Sequence, residues 1–278
     1  ANNKVQTWGG SFTFTGTKDL NLAAGAVALG AATKTVTTTA GTLTVGGVIS
    51  STGAFGITKA GAGTLTLSGA NDFSGQLTVE AGTLAIATIN NVSAVGTLGN
   101  SALAVILGKA GGSTGTLQYT AAAGATASSK PFTMATGGTG AFQIDTAGQT
   151  LTLSGVIAGG GGLTKAGDGT LTLSGTNTYT GVTTVNAGTL NAGKITAAFG
   201  AASAVTVAAG ATLGLNNFDE TIGSLAGSGT VTNGGAADHV LTAGGDGTST
   251  TFSGIIQNGG GLGKTGLTKT GAGTLTLS

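Results

Sequence analysis

The stretch LTKAGDGTLTLSG, residues 163–175, is echoed at 57–69 and at 267–278. The copies read TKAGAGTLTLS from Thr58, TKAGDGTLTLS from Thr164 and TKTGAGTLTLS from Thr268, in two steps of about a hundred residues. A catalytic motif is normally written once, so a phrase written three times signals a repeat architecture. Inside it Thr and Leu alternate, which puts Leu65 and Leu67 on one face of a strand and Thr64, Thr66 and Ser68 on the other. Leu171 and Leu173, then Leu275 and Leu277, hold the same places in the other copies.

A shorter beat runs between the long steps. GTL or a relative begins at Gly41, Gly63, Gly82, Gly96, Gly115, Gly169, Gly188, Gly229 and Gly273, often about twenty residues apart. That length suits one turn of a parallel β-helix, with short strands, glycine at the corners and the next coil about 4.8 Å away. The expected fold is therefore all-β, a parallel β-helix (β-solenoid) of roughly a dozen coils. It runs as a single solenoid over residues 1–278, with long repeats near 57–162 and 163–266 and a partial copy at 267–278.

Composition agrees. Gly supplies 56 of 278 residues and Pro 1, the apolar share is 40% and charged residues are 7%. Lacking the proline of collagen and the charge of disordered chains, the sequence reads as folded, and interior Gly disfavours helix by about 1 kcal/mol each relative to Ala. The net charge is +1 and every basic residue is Lys, so no guanidinium fork is present and nucleic acid is not an expected partner. Without Cys there are no disulfides or thiolate metal sites. Apolar runs such as Ala102 to Leu107 are too short to cross a bilayer, so no transmembrane segment is expected. No leader precedes Ala1, as in a processed chain or a segment of something longer.

GLTKAGDGTLTLSGTNTYTGVTTVNAGTL, from Gly162, closely resembles the autotransporter-associated β-strand repeat of bacterial autotransporter passengers. LGLNNFDETIGSLAGSGTVTNGG, from Leu213, is similar to a second phrase of the same passengers. The resemblance is specific there and in Gly56 to Leu84, looser elsewhere, and covers about half the chain. It implies a right-handed parallel β-helix at the bacterial cell surface or secreted, serving as an adhesin, scaffold or stalk and not as an enzyme. No translocator barrel follows, so the export route is left open.

Residues 14–26, FTGTKDLNLAAGA, resemble the YTGVTTVNAGT that follows the motif at Tyr179. The start of the chain thus reads as the sequel to its last repeat. This suggests coils of neighbouring copies stacking end to end into a homopolymer, with a cleaved or truncated fragment as the alternative.

Candidate chemistry is sparse. His239 follows Asp238, but neighbours on a strand point opposite ways, so a surface turn is expected. Asp219 and Glu220 read as a solvated turn rather than paired catalytic carboxylates. Asp168 has Ala62 and Ala272 as equivalents, and GGDGTST around Asp246 lacks the regular glycines and aspartates of a calcium-binding repeat. No metal and no cofactor is therefore expected. The repeat itself supplies the positions singled out: Lys59, Gly61, Gly63, Asn71 and Phe73; Lys165, Gly167, Gly169, Asn177 and Tyr179; Lys269, Gly271 and Gly273, with the leucines above. The lysines read as charged gatekeepers beside aggregation-prone strands, or as a cationic stripe for anionic polysaccharide. Asn71 and Asn177 read as turn-makers bonding local backbone, sealed by Phe73 and Tyr179. Trp8, Phe12 and Phe14 either cap the bore or meet a partner.

The preferred function is a secreted or cell-surface structural and adhesive rod, with a surface glycan or a host or cell-surface molecule as partner. A polysaccharide-binding or polysaccharide-cleaving β-helix is the alternative. An ice-binding solenoid is weaker, because the TLT strings at Thr42, Thr64, Thr170 and Thr274 look too widely separated for one array.

Overall fold

The computed structural model describes residues 3–194 and 197–278. Regular structure in them is β-strand, and the registered strand pairs are parallel. One isolated antiparallel bridge closes the turn between Lys109 and Ser113. The chain forms two compact units, residues 1–121 with 128–141 and residues 122–127 with 142–278. Each is a stretch of parallel β-solenoid, with about a dozen coils in the two together.

In the first unit one sheet stacks Leu20–Asn21, Thr42–Val45, Thr64–Leu67, Gly82–Ile86 and Thr114–Tyr119. A second stacks Phe12–Phe14, Lys34–Thr38, Ile57–Ala60, Leu77–Val79, Val105–Leu107 and Phe132–Met134, and a third Gln6–Trp8, Val27–Leu29 and Ile49–Ser51. The register places like upon like: Leu43 pairs with Leu65, Leu65 with Leu84 and Leu84 with Leu117, all fully buried. Each buried leucine contributes roughly 1.5–3 kcal/mol. A slip of one residue would turn the whole column outward, so the register is fixed by the alternation itself.

The second unit repeats the scheme. Gln149–Leu153, Thr170–Leu173, Thr189–Ala192, Thr212–Gly214, Thr230–Asn233 and Ile255–Asn258 form one sheet, with Leu151, Leu171, Leu190, Leu213 and Val231 in one buried column. A second face carries Gly162–Ala166, Thr183–Val185, Ala204–Val207, Ser224–Gly227, Thr250–Phe252 and Leu275–Leu277. A third carries Glu220–Ile222, His239–Ala243 and Thr265–Lys269.

Glycine is required where the chain turns a corner against the coil before it. Gly82 has φ +67°, and a Cβ there would lie 2.3 Å from the carbonyl oxygen of Gly61. Gly188 does the same in the second unit, with φ +61° and 2.4 Å to the carbonyl oxygen of Gly169. Both handedness and the coil spacing exclude a side chain. Gly82→Ala is expected to lower stability by about 2 kcal/mol in urea unfolding. Gly9→Ala, where a Cβ would meet nothing within 4 Å, should leave the midpoint close to wild type; equal effects of the two would contradict the corner constraint.

Candidate functional site

The residues that the repeat holds constant converge on the seams between coils. Lys59 lies at an inward position of Ile57–Ala60, paired with Val36 of the preceding coil and Val79 of the next. Its side chain is fully buried. Nζ donates to the carbonyls of Ala60 at 2.9 Å, Gly61 at 2.7 Å and Ala81 of the next coil at 3.0 Å. Lys165 repeats this in the second unit, fully buried and donating to Ala166 at 3.0 Å, Gly167 at 2.7 Å and Ala187 at 3.1 Å. Burial lowers both ammonium pKa values to about 8, with Asp168 and Asp145 opposing the fall at Lys165. At neutral pH the ammonium form prevails, and its three hydrogens match three acceptors.

This corrects the gatekeeper and cationic-stripe readings of Lys59 and Lys165, since a charge used up inside the corner offers nothing to a polysaccharide. The signal that would have found it is parity, because Lys59 and Lys165 share the inward face with Ile57 and Leu163. Lys269 makes the two local contacts, to Thr270 and Gly271, and is exposed. Lys130, which no repeat marks, is also fully buried and donates to Gly99 at 3.1 Å and Ser101 at 2.8 Å.

Asn71 and Asn177 do bond backbone, but across coils instead of within a turn. Asn71 Oδ1 accepts the N–H of Ile49 at 2.8 Å and its Nδ2 donates to Thr97 at 3.0 Å. Asn177 Oδ1 accepts from Ile157 at 2.8 Å and Nδ2 donates to Ala198 at 2.7 Å. Each amide staples the coil before to the coil after, and Phe73 and Tyr179 lie buried two residues on. Gly61 and Gly167 hold left-handed corners with φ +77° and +75°, as does Gly271 with φ +66°. At Gly63, Gly169 and Gly273 an added Cβ would strike backbone or an inward side chain within 3 Å. Leu65, Leu67, Leu171 and Leu173 are fully buried; Leu275 is half-buried and Leu277 exposed.

Asp219 is exposed and outside any strand, as expected, whereas Glu220 and His239 lie on strands. Glu220 is 1% exposed on a strand, not in a solvated turn. His239 is also in a strand, and its Nδ1 lies 3.0 Å from Oδ1 of Asp219, not beside Asp238. Asp219 also accepts the N–H of Val240 at 2.8 Å, and that bond, with His239, outweighs desolvation to hold its pKa below the usual carboxylate value. Asp238 accepts from Lys264 at 2.8 Å, and Asp246 accepts the N–H and hydroxyl of Thr248. These carboxylates tie backbone together. No group of three or more His, Cys, Asp or Glu able to hold a metal occurs among the described residues. No helix among them is long and apolar enough to cross a membrane.

Of the four TLT threonines, Thr42 stacks on Thr64, Thr170 belongs to a separate column of the second unit and Thr274 to neither, so the four do not make one array. Thr42, Thr64, Thr83 and Thr116 form an outward column in the first unit, and Thr150, Thr170, Thr189, Thr212 and Thr230 one in the second. Beside the second column Thr152 and Thr172 give way to Asn191 and Gly214. One unbroken column is a cross-strand ladder and not the two-dimensional array that ice binding requires. Trp8, Phe12 and Phe14 line an apolar cavity of about 330 Å³ with Leu20, Leu22 and Leu43, Trp8 and Phe12 meeting edge to face at 4.9 Å.

The family model described as the passenger-associated transport repeat matches residues 57–86, 163–192 and 267–278, about a quarter of the chain. Over 156 residues, 55% of the chain, the sequence is 47% identical to the adhesin BmaC autotransporter of Brucella suis biovar 1 (strain 1330), of which the match spans 4%. No solved structure matches. The three matched stretches are those of the thrice-written phrase, and Lys59, Asn71, Lys165 and Asn177 lie within the first two.

Lys59→Met keeps the aliphatic stem but removes the donor from three carbonyls. A loss of about 2 kcal/mol in urea unfolding is expected, while Lys4→Met, at an exposed lysine, should change the midpoint little. Equal stability of the two variants would show the buried ammonium to be dispensable.

Proposed function

We propose that the chain is part of the passenger of a bacterial surface adhesin, a non-enzymatic β-helical scaffold displayed at or released from the cell surface. The observation that carries this reading is the direction of the repeated residues. Lys59, Lys165, Asn71, Asn177 and the inward leucines face the seams and the bore, so the repeat is spent on holding the coils together. The 47% identity to part of an adhesin autotransporter supports the adhesive role and an extracellular or cell-surface location.

The partner in this reading is a host or cell-surface molecule. Aromatic side chains, which stack on sugar rings, are buried or half-buried throughout the described residues. That favours recognition through outward polar side chains over a stacked glycan. Tethered to beads, the chain is expected to retain cells on which unrelated β-solenoid controls do not settle. Beads that bind no cells, together with new unsaturated ends when the chain is incubated with polygalacturonate, would instead favour the polysaccharide-cleaving alternative.

The finer reading is that copies associate through coil stacking into a filament. It is supported by the likeness of residues 14–26 to the sequence after Tyr179, and by the apolar cavity around Trp8, Phe12 and Phe14. Sedimentation velocity over a concentration series should then show growing species; a single monomer-sized boundary at the highest concentration would remove the filament and leave the adhesive reading standing.

A further inference from the structure

Glu220 is a buried carboxyl that neither the repeat nor the adhesive reading uses. Its Oε2 accepts the N–H of Ala198 at 3.0 Å, and the neighbouring Phe199 N–H also favours the charged form. Its other oxygen, Oε1, is buried without a hydrogen-bond partner. Ala198 is held from the other side by Asn177, whose Nδ2 donates to its carbonyl at 2.7 Å. In the asparagine staples Oδ1 accepts from the coil before and Nδ2 donates to the coil after. Glu220 reproduces the accepting half and leaves a bare oxygen in place of the donor. An ionised carboxylate there places charge in a buried seam without a facing cation, whereas the protonated acid keeps Oε2 as acceptor and is neutral.

The groups packed around it do not supply a compensating cation. Tyr179 from the segment below hydrogen-bonds Thr183 at 2.8 Å, and Thr183 continues to Ser203 at 2.8 Å. Asp219 is adjacent in sequence, and it adds repulsion. The strand His239–Ala243 pairs in register, setting Leu241 opposite Glu220, and its own titratable member, His239, is engaged by Asp219.

We propose that Glu220 is a proton-operated clasp: with the carboxyl protonated, the coil of residues 220–222 closes over a neutral group at Ala198, and ionisation, which places a charge where no cation faces it, favours opening of that seam. Burial pushes its pKa up from 4.5 to about 7, the two backbone bonds pulling the other way. Because the folded value lies above the unfolded one, the stabilisation is complete below 4.5 and is lost as pH rises through about 7. Between about pH 7 and 4.5 this seam therefore tightens as pH falls, the reverse of the trend given by salt-bridged carboxylates.

The test is hydrogen exchange on the full chain between pH 4.5 and 7.5, corrected for the intrinsic pH dependence of exchange. Protection of the Ala198 amide should fall by about a hundredfold over that range, while in Glu220→Gln, which retains an acceptor and cannot ionise, it should stay level. A wild-type profile as flat as that of the variant would overturn the proposal, as would an equal fall in both. Should the variant fail to fold, carbon NMR titration of the Glu220 carboxyl in the wild-type chain decides: a midpoint near 4.5 refutes the clasp and one near 7 supports it.

Discussion

A strand in a parallel stack makes hydrogen bonds along both edges, and each edge is satisfied only if the neighbouring coil arrives at the same height with the same parity. That requirement dictates the rest of the molecule. The column from Leu43 through Leu65 and Leu84 to Leu117, and its counterpart from Leu151 to Val231, exist because alternation and coil length bring an aliphatic to the same place at each turn. The sheets leave the corners unsolved. There the backbone swings through left-handed glycines, and carbonyls turn away from the ladder toward the corner.

The lysines answer that problem. A buried ammonium is costly alone, and three converging carbonyls at 2.7–3.0 Å are costly without a donor. Each group supplies what the other lacks, and the aliphatic stem fills the column between Val36 and Val79 as a leucine would. Asn71 and Asn177 perform the same work at another corner with a neutral amide, which can accept from one coil and donate to the next. A carboxylate can only accept, which is why Glu220, in a comparable seam, is satisfied on one oxygen and stranded on the other.

Much of the architecture was legible in the sequence because the physics behind it is periodic. The alternation in TLTL determined which residues of Thr64–Leu67 and Thr170–Leu173 are buried, and the recurring glycines marked corners that no other residue fits. What resisted reading was chemistry that contradicts a residue's usual habitat. Lysine and glutamate are charged, so residue type alone places Lys59 and Glu220 in water, although both share parity with buried Ile57 and Ile222. Partners from other coils were equally hidden: His239 meets Asp219, and the threonines separated by twenty residues stand one above another. Sequence distance says nothing about contact in a solenoid until the coil length is known residue by residue.

A stack held by internal seams separates persistence from recognition. Where the copies differ, as at Ala62, Asp168 and Ala272, the position is exposed and makes no demand on the seam beneath it. Phe73 and Tyr179 differ only by a hydroxyl, and that hydroxyl finds Thr183. Outward positions can therefore change without disturbing the bore, since the coils are held by their inward aliphatic columns and, in the two full copies of the repeat, by a corner lysine and an amide staple. Any recognition by such a stack falls to its outward positions, and the repeated phrase supplies the frame on which they are carried.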